Sequence, residues 1–102
     1  MKIALAQMDV VPGRPEKNVK KMLAMIEEAK EKHADVVAFP EMAVSGYLLS
    51  DLWLDESFCA DLMGYNEILR EASDNIAIAY GNVFLDSTRP NKDGRSRKYN
   101  AA

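Results

Sequence analysis

The run Val36-Val37-Ala38-Phe39, stopped at Pro40, restricts the fold more than any other stretch of the chain. Four apolar residues in succession leave no wet face, so they read as a strand covered on both sides, as in a parallel sheet flanked by helices. The flanking pattern is present. From about residue 15 to His33, Val19, Met22, Leu23, Ile26 and Ala29 recur at helical spacing, with Lys20, Lys21, Glu27, Glu28, Lys30 and Glu31 on the other face. Asn18 is read as the N-cap, with Pro15 as a first-turn residue the alternative. Lys17, Lys20 and Lys21 oppose the helix dipole at that end, so packing has to hold the helix. Before it, Lys2 to Met8, closed by Asp9 and Pro12-Gly13, reads as a short and largely buried strand. Strand, helix and strand in that order predict a right-handed βαβ unit.

After Glu41, the segment to Asp55 carries Tyr47, Leu48, Leu49, Leu52, Trp53 and Leu54 among Ser45, Gly46, Ser50 and Asp51. A loop that apolar is expected to fold back onto the body. Phe58, Leu62, Tyr65, Leu69 and Ala72 mark a second helix, capped by Asp55, weakened at Gly64 and stopped at Ser73-Asp74-Asn75. Ile76 to Tyr80 and Val83 to Leu85 read as one third strand with a bend or bulge at Gly81-Asn82. Asp86 to Arg95 is turn-rich, and Ser96 to Ala102 reads as the returning arm of a hairpin, cut mid-course. The order β-α-β-loop-α-β-β, without repeat or linker, predicts a single α/β domain over residues 1–102, expected to be incomplete.

Several classes fall away. The apolar run Ile76 to Tyr80 is far too short to cross a bilayer, and Ile3-Ala4-Leu5-Ala6 breaks at Gln7 and Asp9, unlike a secretory h-region. The expected compartment is the cytoplasm. A single cysteine, Cys59, and a single histidine, His33, allow neither an internal disulfide nor a structural zinc site. Charge is unevenly spread: residues 34–88 hold ten acids against Arg70, whereas residues 89–102 hold five basic residues against Asp93. Arg89, Lys92, Arg95, Arg97 and Lys98 surround a turn with only Tyr99 nearby, which fits a solvated hairpin tip or a contact with a region outside this chain better than a nucleic-acid surface. Gly13 and Gly94 lack phosphate-loop spacing, so no nucleotide site is read.

In open α/β sheets, chemistry gathers where strands meet their following loops at the carboxyl edge, and here that position is Phe39-Pro40-Glu41-Met42. Glu41 is the candidate general base, a carboxylate held rigidly and partly desolvated at the end of a buried strand. The competing reading is an acid that caps the next turn or pairs with a lysine. Gly46-Tyr47 follows five and six residues later, close enough for the loop to turn back and place the Tyr47 ring beside that carboxylate; a loop aromatic packed on the core is the alternative.

Ile3-Ala4-Leu5-Ala6-Gln7, the helix from Asn18, and Ala34-Asp35-Val36-Val37-Ala38-Phe39-Pro40-Glu41-Met42-Ala43-Val44-Ser45-Gly46-Tyr47 together resemble the nitrilase, or carbon-nitrogen hydrolase, superfamily. Gly81, Gly94 and Tyr99-Asn100-Ala101-Ala102 follow in the family's order. Within it, Gly46-Tyr47 followed by Ser50-Asp51-Leu52-Trp53-Leu54 is most similar to the amino-terminal glutaminase domains of glutamine-dependent NAD synthetases. The resemblance implies a four-layer α-β-β-α sandwich of which residues 1–102 are the N-terminal portion. It also implies a Glu-Lys-Cys amidase: the carboxylate takes the thiol proton, the thiolate forms a thioester as ammonia leaves, the lysine stabilises the tetrahedral intermediate, and water completes hydrolysis.

Glu41 matches the family's base, and Tyr47 matches a position where its glutaminases place a pocket aromatic, a candidate substrate contact. The family's lysine and cysteine follow the strand that begins at Tyr99-Asn100. Lys98 precedes that strand and Cys59 lies on a helix, so neither takes those roles, and the chain by itself is expected to be inert. His33 is read as a residue closing the first helix. The resemblance further implies glutamine as the small-molecule amide, no cofactor for the hydrolytic part, ATP only in a separate synthetase domain that amidates deaminated NAD, no nucleic-acid or membrane partner, and a homo-oligomer in full-length form. Two alternatives stay open: a stand-alone amidase or N-carbamoyl hydrolase, and a non-catalytic α/β module that buries its sheet against a partner.

Overall fold

The computed structural model describes residues 1–47, 52, 55–90 and 96–102, with the backbone alone for 87–90 and 96–98. Its elements are β1 (Ile3–Leu5), α1 (Pro15–Glu31), β2 (Val36–Ala38), α2 (Glu56–Ala72), β3 (Ala77–Ala79), β4 (Asn82–Pro90) and β5 (Ser96–Ala101). The strands β1, β2 and β3 form a parallel sheet in that order, and β4 and β5 form a separate antiparallel ribbon. The α/β class and the parallel strand-helix-strand start are as the pattern predicts.

The parallel register sets Ala4, Val37 and Ile78 side by side. Val37 is buried and the other two are half-buried against the core, so this is the face on which the helices lie. From α1 that core takes Val19, Met22, Ile26 and Ala29; from α2 it takes Cys59, Leu62 and Leu69. The opposite face is bare. Ile3 is 57% and Leu5 79% exposed, Ala77 and Ala79 are exposed, and Val36 and Ala38 are half-buried. The expectations of a largely buried first strand and of a β2 covered on both faces are therefore corrected: these residues supply helices for one side only. Among the described residues, no helix is long and apolar enough to cross a membrane.

Asn18 does not cap α1. Arg14 holds the N-cap position without a side-chain hydrogen bond and Pro15 opens the helix, where its missing N–H costs nothing. Asn18 sits fully buried one turn in. Its Oδ1 accepts from the Val11 N–H at 2.8 Å, and its Nδ2 donates to the carbonyls of Val11 and Val44, each at 2.9 Å. One amide thus ties the helix to the loops following β1 and β2. Past the C-cap Lys32, His33 adopts φ +58°, exposed, with its N–H on the Lys30 carbonyl and the Ala34 N–H on that of Ala29. It closes the helix as a left-handed residue.

Asp55 caps α2 as expected, its carboxylate accepting from the Phe58 N–H at 3.0 Å. The helix ends at Ser73, and Asn75 turns the chain at φ +64°. Lys30 of α1 reaches Asp74 across that turn at 2.5 Å, which holds the Lys30 ammonium above and the Asp74 carboxyl below their ordinary ranges.

The expected bent third strand is two strands in two sheets. Among the described residues β3 pairs with β2 alone, and the chain changes sheet at Tyr80-Gly81. Asn82 directs the break: its Nδ2 donates to the Leu62 carbonyl at 2.8 Å and to Asn66 Oδ1 at 3.0 Å, while its Oδ1 accepts from the Val83 N–H at 2.8 Å. A buried asparagine that satisfies helix and strand together fixes where β4 starts. Asp86 to Pro90, read from the sequence as turn, continues β4, with the register shifting between Asp86 and Pro90. The returning arm at Ser96 is found. Leu48, Leu49, Ser50, Asp51, Trp53 and Leu54 of the apolar loop, and residues 91–95 of the turn, lie outside the described residues.

Asn18→Ala removes this partner from the buried Val44 carbonyl and from the half-buried Val11 N–H and carbonyl, and should lower stability by about 2 kcal/mol. A urea midpoint that falls with an unchanged slope is the expected readout; an unchanged midpoint would contradict this account.

Candidate active site

At the carboxyl edge of the sheet, β2 is held from both sides: the Ala6 N–H donates to the Ala38 carbonyl and the Phe39 N–H to the Ala79 carbonyl, each at 2.8 Å. Beyond Pro40 the backbone turns sharply, with Met42 at φ +54°, a region that non-glycine residues rarely enter. Burial of Met42, Ala43 and Val44, at 2% exposure or less, offsets a local cost on the order of 1–2 kcal/mol. The Gly46 N–H closes the turn on the Met42 carbonyl at 2.7 Å.

Gly46 itself has φ +70°, and a β-carbon there would lie 2.7 Å from Pro12 Cα, so the residue type is dictated twice. This contact seats the β1 loop beside the turn, reinforced by the Gly13 N–H on the Ser45 carbonyl at 2.8 Å. The chain then delivers Tyr47, 68% exposed, whose hydroxyl donates to Glu41 Oε2 at 3.0 Å. The predicted return of the loop onto the carboxylate is what the structure contains. That hydrogen bond, the negative charge of Glu41 and slight burial together hold the Tyr47 hydroxyl above the ordinary tyrosine range.

The other carboxylate oxygen is met from the ribbon. Asn100 Nδ2 of β5 donates to Glu41 Oε1. The register puts Asn100 opposite Val83 and Tyr99 opposite Phe84, so Asn100 shares the face on which Val83 is buried while the Tyr99 and Phe84 rings meet on the exposed face, centroids 6.3 Å apart. Gly81 sets the spacing: a β-carbon there would lie 2.5 Å from the Met42 nitrogen and 3.1 Å from Glu41 Cα.

Glu41 is itself exposed, which corrects the expectation of partial desolvation: the described residues line its site without closing over it. It stands between two concavities. One, about 320 Å³, is lined by Met8, Asp9, Pro12, Gly46 and Tyr47; the other, about 310 Å³, by Phe39, Tyr80, Gly81, Asn100 and Ala101. A larger adjoining cleft of about 440 Å³ holds Asn66, Tyr80 and Asn82, already bonded to one another, and no carboxylate. Burial pushes the Tyr80 hydroxyl up. Among the described residues, no three His, Cys, Asp or Glu side chains gather to hold a metal.

The remaining candidates fall elsewhere. Cys59 is buried within the core on α2, with its thiol 3.7 Å from the Leu52 carbonyl. Lys98 occupies β5 opposite Leu85. Sequence reasoning named Glu41 and Tyr47 and missed the contact of Asn100. The signal was there in part: period-two alternation sets Asn100 on the opposite face from Tyr99, but the fold-back that brings that face to Glu41 has no local mark.

The carbon-nitrogen hydrolase family profile matches residues 2–102. The glutamine-dependent NAD(+) synthetase of Xylella fastidiosa is 39% identical over 82 residues, covering 79% of this chain and 15% of the relative. That of Acinetobacter baylyi is 33% identical over 101 residues, covering 99% and 17%. Among solved structures, the glutamine-dependent NAD(+) synthetase of Cytophaga hutchinsonii superposes with a TM-score of 0.79 at 26% identity, over 96% of this chain and 16% of that one. An amidase from Nesterenkonia sp. shares the fold, with a TM-score of 0.73 at 20% identity, over 98% of this chain and 42% of the amidase. The chain thus spans 15% to 17% of the length of these synthetase relatives.

Two outcomes follow from the geometry. Glu41→Gln removes the negative charge beside Tyr47, so that hydroxyl should ionise at lower pH than in the unaltered chain; a tyrosinate absorbance titration in which no tyrosine moves would contradict the contact. Gly81→Ala forces a β-carbon into the Met42 peptide and should destabilise by about 1–3 kcal/mol, read as a lowered thermal midpoint.

Proposed function

Because the chain belongs to the carbon-nitrogen hydrolase family, we propose that it carries the general base of a thiol-dependent amidase site and that the amide is glutamine. The observation that carries this reading is Glu41 itself, a carboxylate at the carboxyl edge of a parallel sheet, oriented by two donors and flanked by two concavities. A carboxylate so placed can take a proton from an approaching thiol and return it to departing ammonia.

In this reading, Glu41 deprotonates a cysteine, the thiolate adds to the carboxamide carbon, and ammonia leaves with the returned proton. A thioester remains; water, giving a proton to Glu41, adds to its carbonyl carbon, the C–S bond breaks to release glutamate, and Glu41 returns the proton to the departing thiolate. Cys59 is not that thiol, being sealed in the core. The cysteine and the lysine that steadies the tetrahedral oxyanion come, in this proposal, from sequence beyond Ala102 in the full-length protein, and the 102-residue chain alone is inert. Tyr47, exposed at the rim beside Glu41, is positioned to touch the substrate. The bare face of the sheet, Ile3, Leu5, Ala77 and Ala79, is where the second sheet of a four-layer sandwich would pack. Similarity to glutamine-dependent NAD(+) synthetases supports glutamine over other amides and a separate ATP-using domain as consumer of the ammonia. No residue of this chain is assigned to that second step.

The test is ammonia release from glutamine by the full-length protein. Glu41→Gln should lower kcat by about 10²- to 10⁴-fold while near-ultraviolet circular dichroism stays unchanged. Undiminished release would remove Glu41 from the mechanism. Hydrolysis of simple amides or N-carbamoyl compounds with none of glutamine would replace the substrate assignment by a stand-alone hydrolase.

A further inference from the structure

We propose that Asn100 is the positioning residue of the Glu41 carboxylate, a neutral strand-borne donor that fixes which way the base faces. The inference rests on the base role given to Glu41 above. Carboxylate oxygens of an ionised glutamate only accept, so the Asn100 amide must present its Nδ2 to Oε1, as it does.

The two donors on Glu41 differ in kind. Tyr47 sits on a loop after a left-handed glycine, whereas Asn100, exposed like Tyr47, is held by a strand. Asn100 is in β5, paired through the backbone to Val83, which is 1% exposed and anchored in the core. That ribbon starts directly after Gly81, and Gly81 lies against the Glu41-Met42 peptide itself. Base and donor are therefore referenced to one rigid point, although 59 residues separate them in sequence.

The residue type also matters. A lysine or arginine at this place would form a charge-assisted bond, stronger by about a factor of two, and would stabilise the carboxylate against taking a proton at all. An amide N–H orients the group without adding charge. With one bond on each oxygen, every oxygen keeps a second lone pair, and Oε1, pinned by Asn100, cannot rotate away from an incoming thiol proton.

The experiment uses the full-length protein with glutamine. Asn100→Ala should lower kcat about ten- to a hundredfold with KM held within about twofold, because the base is misaimed while the pocket is intact. Asn100→Asp keeps the shape but replaces the donor by a second carboxylate. It should move the acid limb of the kcat/KM profile to higher pH, a change that loss of a purely structural bond would not produce. Thermal midpoints are measured for both. A kcat within about twofold of the unaltered enzyme in both variants, with Glu41→Gln still inactive, overturns the role of Asn100 and leaves the base intact. Activity surviving in Glu41→Gln overturns the base reading itself. Should Asn100→Ala unfold, the profile of Asn100→Asp decides: a shifted acid limb supports the role, and an unshifted one overturns it.

Discussion

Gly81 approaches the Glu41-Met42 peptide so closely that a β-carbon there would lie 2.5 Å from the Met42 nitrogen, and the parallel sheet and the ribbon are joined at this contact. Backbone packed on backbone has no side-chain rotamers to relax, so this contact leaves no room for a side chain between the two units. The turn at Met42 lies against the same contact, and Asn100 is carried over Glu41 by β5, the antiparallel partner of the strand that begins one residue after Gly81.

Two buried asparagines complete the frame. Asn18 satisfies loop carbonyls and an N–H from inside α1, and Asn82 satisfies α2 and β4 from the ribbon side. Each supplies hydrogen bonds to backbone groups of a neighbouring loop or helix, and among the described residues no buried side-chain nitrogen or oxygen lacks a partner. The hydrophobic core between the sheet and its helices supplies cohesion, whereas these amides decide how the loops at the carboxyl edge sit relative to one another. The geometry of Glu41 is set by the second more than by the first, because Glu41 lies in those loops.

The layer arrangement explains why the site is open. Helices cover one face of the parallel sheet, and the other presents Ile3, Leu5, Ala77 and Ala79 to solvent. The role proposed for Glu41 would gain from exclusion of water, whereas both concavities beside it are open and Tyr47 stands exposed beside the carboxylate. The described residues orient the Glu41 carboxylate; they do not enclose it. Orientation and enclosure are separable tasks, and this part of the fold performs the first.

Local chemistry was enough to read a good deal from the chain alone. The apolar run ending at Pro40, the heptad-like spacing of Val19 to Ala29 and the Asp55 cap each encode an element through short-range periodicity, and the placement of Glu41 follows from the end of a strand. Tyr47 was legible because the five intervening residues, ending in Gly46, let the loop return onto Glu41. What was misread shares one cause: the burial of Ile3 and Leu5, the role of Asn18 and the split of the third strand at Gly81 depend on groups distant in sequence. Periodicity says that a residue alternates, not whether anything covers it, and an asparagine carries no mark that tells a cap from a staple. The sequence by itself determined the strand-helix-strand start, the second helix and the place of Glu41 just past β2; only the tertiary structure decided that the third strand splits at Gly81 and that Asn100 reaches Glu41, because a contact across 59 residues is created by packing and by nothing local.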